Sequence, residues 1–260
     1  MITILTPAFN RAHTLLRLFE SLQVQTLKTF EWLIVDDGST DHTELLVEKL
    51  KSLHSGFPIR YIYQSNGGKH VAINKGANKA LGNWVFIVDS DDALTQDAIQ
   101  ALSLEIDKVG ETGATGICFR KAYFNESIIG KSYFGDEPKF MHPTAAGEYF
   151  KGDLAYIFRT EELINHPFPV FKGEKFVPEL YVWNLIGDDG PVWFIPEKAI
   201  YLCEYLADGY TANFKKNLRK NPKGFGIFYR NQFLREKSWI LKIKCSIRAM
   251  QCLFYSTVSR

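Results

Sequence analysis

Two hydrophobic rhythms alternate along the first ninety residues: short continuous apolar runs, and stretches with apolar residues at helical spacing. Residues 2–6 predict a strand, and Leu15, Leu16, Leu18, Phe19 and Leu22 then form a helical stripe. Residues 32–35 predict a second strand, and Leu45, Leu46, Val47 and Leu50 a second helix, with Asp41 and Glu44 spaced to cap its start. A third strand over 59–63, an Ala-rich helix over 71–81 and a fourth strand over 84–88 follow. Four βα units in a row predict a parallel sheet with right-handed crossovers. After Val109 the rhythm breaks. Residues 114–160 read as mixed strands and loops with a short strand at 155–159. A helix over 179–186 and a strand over 192–195 come next. Pro222, Lys223 and Gly224 mark a boundary before a last helical stretch. The chain thus divides into 1–110, 111–214 and a helical extension over 215–260.

With 260 residues, 46% of them hydrophobic, the chain can bury the core of one large domain. Its net charge of +2 conceals an asymmetry: residues 215–260 carry +11 and the remainder −9. An acidic body with a basic tail points to an anionic partner for the tail. Nothing resembling a nucleic-acid recognition module accompanies that charge, so nucleic acid is not the expected partner. Cys118, Cys203, Cys245 and Cys252 form no CxxC pair and the N-terminus reads as a strand, not a leader. Free thiols and a cytoplasmic location are expected. No apolar run approaches the roughly 20 residues of a membrane span.

The chemistry gathers at strand ends. Residues 7–10, 36–39, 66–69 and 89–92 are polar or Gly-rich and follow the four strands directly. In a parallel sheet these ends share one edge, where open α/β sheets bind their ligands. Asp89-Ser90-Asp91-Asp92 puts three carboxylates within four positions after a buried strand. Their mutual repulsion calls for a counter-charge, and a divalent cation with oxygen ligands is the simplest. Asp37 can accept hydrogen bonds from a nucleoside. In the Asn66-Gly67-Gly68-Lys69 loop the glycines allow close backbone approach and Lys69 offers a charge to a phosphate. Singly, Asp36–Asp41 also reads as a turn with an N-cap, and Asn-Gly-Gly as a plain loop. No G-x-x-x-x-G-K-[ST] and no G-x-G-x-x-G occurs, which excludes a P-loop and argues against a dinucleotide fold.

Thr6-Pro7-Ala8-Phe9-Asn10-Arg11, Gln25-Thr26, Val35-Asp36-Asp37-Gly38-Ser39-Thr40-Asp41, Asn74-Lys75-Gly76 and Val88-Asp89-Ser90-Asp91-Asp92, in this order, resemble the family 2 glycosyltransferases. The resemblance spans about the first 95 residues. It implies a GT-A-like, Rossmann-like α/β fold: a mostly parallel central sheet flanked by helices. It implies a nucleotide-sugar donor, in most members a UDP-sugar, and transfer with inversion to a glycan or lipid-linked glycan in cell-surface polysaccharide synthesis. Pro7, Ala8 and Phe9 would line the nucleoside pocket and Asp37 would bind the uracil. Asp89 and Ser90 would contact ribose or donor sugar, and Asp91, with Asp89, would hold Mn²⁺ or Mg²⁺. Many members carry Arg where this chain has Ile73, and Lys69 is placed to supply the missing charge.

Inverting transfer also needs a carboxylate to take a proton from the acceptor hydroxyl. The resemblance puts that base at a helix start in the second half. Glu179, just after Pro178, fits, with Glu174 and the Asp188-Asp189 pair as alternatives. Trp183, Trp193, Tyr149 and Tyr156 read as sugar-stacking or core aromatics, and the histidines stand alone in sequence. In the tail, apolar residues at 240, 243, 247, 250 and 254 share a helical face flanked by Lys242, Lys244 and Arg248. That face would lie peripherally on an anionic membrane or pack against the domain. Two other functions fit the acid cluster: a Mg²⁺-dependent phosphatase with an aspartyl nucleophile, and a non-catalytic GT-A scaffold that binds nucleotide or glycan.

Overall fold

The computed structural model describes residues 1–53, 56–110, 112–131, 135–204 and 213–258. Its first part follows the predicted alternation: β1 (Ile2–Ala8), α1 (Leu15–Gln23), β2 (Phe30–Asp36), α2 (Thr43–Ser52), β3 (Ile59–Tyr63), α3 (Lys69–Ala77) and β4 (Trp84–Ile87). Then come β5 (Ala93–Leu94), α4 (Ala98–Val109), β6 (Gly116–Ala122), β7 (Lys139–Met141), α5 (Pro143–Phe150), β8 (Leu154–Arg159), α6 (Thr160–Asn165), α7 (Glu179–Asp189) and β9 (Val192–Leu202). The last described segment, 213–258, holds α8 (Phe214–Lys220), α9 (Pro222–Arg235) and α10 (Trp239–Val258).

The sheet runs β3-β2-β1-β4-β8-β6-β9-β5, with β7 beside β9. Among the described strands, β1 to β4, β6 and β9 point one way and β5, β7 and β8 the other. Along β1, β2, β4 and β6, neighbouring side chains enter opposite layers. Ile4, Ile34, Phe86 and Ile117 join the core under α1, α2 and α4. Leu5, Leu33, Val35, Val85 and Cys118 join the core under α3, α5, α6 and α7. Burial on both faces is why these strands read as unbroken apolar runs.

This topology makes the crevice. The chain steps from β1 outward to β2 and β3, then returns to place β4 on the other side of β1. At such a switch point the connections leave in opposite directions and open a gap at the carboxyl ends of the strands. The β1–β4 ladder ends at Leu5–Ile87, whereas β1 pairs with β2 on to Ala8–Asp36. Pro7, which has no N–H to give, lies past the last β4 pairing, where the ladder is one-sided.

Three local expectations are corrected. The third helix spans Lys69–Ala77 rather than 71–81. Asp41 forms no capping box: its Oδ1 accepts from the Thr43 N–H at 3.0 Å and its Oδ2 from the Ala12 N–H at 3.1 Å, joining two loops. α5 lies within a region read as strands and loops.

Candidate active site

The loops after β1, β2 and β3 are knitted together by polar side chains. The Asn10 N–H donates to Ser39 Oγ at 2.8 Å, and Asn10 Oδ1 accepts from the Thr40 N–H at 2.8 Å. Asn10 sits at φ 55, a left-handed conformation that Asn tolerates better than most residues. Asp36 accepts from the Ser39 N–H and from the Tyr61 hydroxyl, both at 2.7 Å. Asp37, 3% exposed, accepts from Gln64 Nε2 (2.7 Å) and from the N–H groups of Gly67 (2.8 Å) and Gly68 (2.7 Å). Its carboxylate therefore shapes the Asn-Gly-Gly loop. Gly68, at φ +99, is irreplaceable there, because a Cβ would lie 2.1 Å from the Lys175 carbonyl oxygen. Asn66 gives its Nδ2 to the Asp37 carbonyl and takes the Lys175 ammonium on Oδ1. Pro7 and Ala8 are buried beside these loops, and Phe9 projects at 45% exposure.

Past β4, residues 89–92 turn back on themselves, the Asp92 N–H reaching the Asp89 carbonyl at 3.2 Å. The three carboxylates have different surroundings. Asp92 is buried and accepts from the Tyr201 hydroxyl at 2.6 Å. Burial, with Asp89 adding to it, pushes its pKa up to about 7. Asp89 meets the Lys69 ammonium at 2.6 Å. Burial works against its charge, but Lys69 and then Lys121 more than offset that and hold its carboxyl below the usual range. Asp91 is partly exposed, and among the described residues its ion-pair partner is a distant one, Arg11 Nη2 at 4.0 Å. Ser90 is buried between them. Asp89 and Asp91 carry oxygen donors of the kind Mn²⁺ or Mg²⁺ takes, and the Lys69 ammonium stands against Asp89.

Lys69 joins the two halves of the chain. Its ammonium also meets Glu179 Oε1 at 2.7 Å, so one cation bridges the acid cluster to the start of α7. Burial opposes that charge, yet Asp89 and Glu179 raise the Lys69 pKa above its ordinary value. Around this bridge the cleft is lined by Lys121, Tyr156, Trp183 and Tyr201. The other acids weighed beside Glu179 lie elsewhere. Glu174 accepts from the N–H groups of Lys223 (3.0 Å) and Gly224 (2.9 Å) and caps α9. Asp188 pairs with Arg235, and Asp189 meets His166 at 3.1 Å. His166 is thus not isolated in space: Glu162, His166 and Asp189 lie together at the α6–α7 junction.

Four of the site's residues escaped the sequence reading. Tyr201 accepts from the Asp89 N–H at 2.9 Å while donating to Asp92, and Lys121 lies 3.8 Å above its ring. Arg17 donates to the Asp91 carbonyl, and its guanidinium covers Phe124 at 4.5 Å. Arg11 lies within a matching motif, but its motif does not announce that its guanidinium faces Asp91. Lys121 and Tyr201 sit on late strands whose pairing nothing local announces. Gln25, one of the matching residues, is structural: its amide bridges α1 to the Thr95 carbonyl and the Ile99 N–H. Tyr149 and Trp193 bond to Asp136 and Glu105, away from the cleft.

The solved structure of TarS 1–349 of S. aureus in complex with UDP-GlcNAc superposes with TM-score 0.72 at 18% identity, over 98% of this chain and 72% of that one. The mannosyltransferase PcManGT of Pyrobaculum calidifontis, in complex with GDP-Man and Mn²⁺, gives TM-score 0.64 at 15% identity, over 99% and 74%. At these identities the likeness establishes the GT-A fold. Glycosyltransferase GlyA of Streptococcus pneumoniae is 30% identical over 79% of this chain, which spans 30% of that protein. Other curated relatives are also longer, the chain spanning 16% and 35% of two of them. The GalNAc(5)-diNAcBac-PP-undecaprenol beta-1,3-glucosyltransferase of Campylobacter jejuni is 25% identical over 100% of this chain and 84% of its own length. Residues 3–153, more than half of the chain, match the profile of Glycosyl transferase family 2, and the chain belongs to that family.

Proposed function

We propose that the chain is a metal-dependent inverting glycosyltransferase that moves a sugar from a nucleotide-sugar to a hydroxyl of a glycan or lipid-linked glycan. The observation that carries this reading is the Lys69 bridge, which sets Glu179 against Asp89 at the switch-point crevice. A UDP-sugar is the donor favoured by the neighbour bound to UDP-GlcNAc, and a lipid-linked acceptor by the undecaprenol-linked substrate in the name of the Campylobacter relative.

In this reading the nucleoside enters between the loops after β1 and β2, against Pro7, Ala8 and Phe9. Asp37 keeps the Asn66-Gly67-Gly68 backbone in the shape that admits it and presents its remaining acceptor lone pair to the uracil. Asp89 and Ser90 face ribose or donor sugar. Asp91, with Asp89, would hold Mn²⁺ or Mg²⁺, which when bound supplies Lewis-acid neutralisation of the departing diphosphate. Glu179, in the first turn of α7, takes the proton from the attacking hydroxyl. Lys69 keeps Glu179 and Asp89 in register until an anionic donor competes for its charge.

Calorimetric titration of UDP with Mn²⁺ and with EDTA, on wild type and Asp91→Asn, tests the donor side. Binding that needs both metal and Asp91 is expected; no binding of UDP in either condition refutes the donor assignment. Glu179→Gln should bind UDP at least as tightly as wild type, because Lys69 loses one competitor for its charge, and lower kcat by about 10²–10⁴-fold. Unchanged turnover would remove Glu179 from the base role.

A further inference from the structure

The apolar face of α10 points away from the protein. The helix packs on α9 through its opposite side, where Cys245 and Cys252 are buried and Cys252 joins Leu218 and Phe225 in a small satellite core. Outward lie Trp239, Ile240, Ile243, Ile247, Met250 and Phe254, each between 47 and 76% exposed. At 100° per residue the last five form one continuous stripe. Lys244 and Arg248 fall on one flank of it and Lys242 on the other, and α10 contains no acid. Packing on the domain therefore does not account for the amphipathic pattern.

We propose that this stripe seats the protein on an anionic lipid bilayer, with α10 parallel to the surface. Apolar side chains enter the boundary between headgroups and acyl chains, and the flanking bases reach lipid phosphates. Charge selects this occupant over a second copy of the chain. Lys242, Lys244 and Arg248 flank the stripe with no acid on α10, so two such faces brought together would set like charges against each other, whereas an anionic surface neutralises them. No helix among the described residues is long and apolar enough to cross a membrane. The inference stands on this face alone and does not depend on the donor chemistry.

Sedimentation of the whole chain with phosphatidylcholine vesicles, with and without about one third phosphatidylglycerol, tests it. Wild type should pellet with the anionic vesicles and bind the neutral ones about tenfold less. Ile243→Glu/Ile247→Glu and Lys242→Glu/Lys244→Glu should each weaken anionic binding about tenfold or more. Melting temperature and UDP affinity should stay those of wild type, which separates this result from misfolding or a failed donor site. Absence of pelleting, or pelleting indifferent to the isoleucine pair, overturns the proposal. So does a wild-type dimer, measured by light scattering, that Ile243→Glu/Ile247→Glu makes monomeric, since a second copy would then cover the face.

Discussion

Tyr201 shows how one buried hydroxyl can organise several charges. It satisfies the Asp89 N–H and the Asp92 carboxyl together, fixing the turn that presents Asp91. Tyr201→Phe keeps the ring in its apolar site but takes the hydroxyl from the buried Asp92 carboxyl and the partly buried Asp89 N–H. The expected cost is about 2–3 kcal/mol, seen as a lower midpoint in urea with unchanged slope. An unaltered midpoint would mean that the hydroxyl holds nothing in place. The sequence marked the acids, because three carboxylates after an apolar strand stand out locally. It did not mark Tyr201 or Lys121, whose meaning comes from pairing β9 against β5 and β6, across long stretches of chain.

Between elements, polar links carry the specificity that apolar packing lacks. Arg235 near the end of α9 grips Asp188 near the end of α7, with His142 at 3.3 Å from the same carboxylate. The Arg235 hydrogen bonds hold the Asp188 carboxyl below its ordinary 3.8. A depressed carboxylate stabilises the fold at pH above its unfolded value and loses that contribution as pH falls through the folded one. Asp188 is 44% exposed, so solvent screening limits the effect to about 0.5–1 kcal/mol. Asp188→Asn should cost that amount at pH 7, and the gap to wild type in thermal unfolding should narrow once pH drops below 3.8. A gap independent of pH would place the cost in packing instead. Glu174 teaches the same lesson from the other side. A conspicuous acid near the expected base, it is spent on the first turn of α9, which no spacing could reveal.

At the scale of the whole molecule, two apolar layers share one sheet, so β1, β2 and β4 each contribute side chains to both and should open last. The extension is joined differently. Of the twenty residues of α10, only Cys245 and Cys252 are buried. Backbone amides in the middle of α10 should therefore exchange with deuterium well before those of β1 and β4, through a local opening that spares the sheet. Equal protection throughout would show that α10 belongs to the same cooperative unit. Detachment of this helix would not disturb the crevice, because Lys69, Asp89 and Glu179 stand on α3, on the turn after β4 and on α7.

The sequence by itself determined the order of the first four βα units, the strand ends that bear the chemistry and the amphipathic face of the tail. Each of these is a local property: a run, a period or a motif is complete within a few residues. The tertiary structure alone decided which acid meets Lys69, that Asp37 serves the loop beside it, and that α10 packs by its cysteines and leaves its apolar stripe outside. Those outcomes depend on contacts between residues far apart in the chain, such as Lys69 with Glu179, and local pattern carries no record of long-range distance.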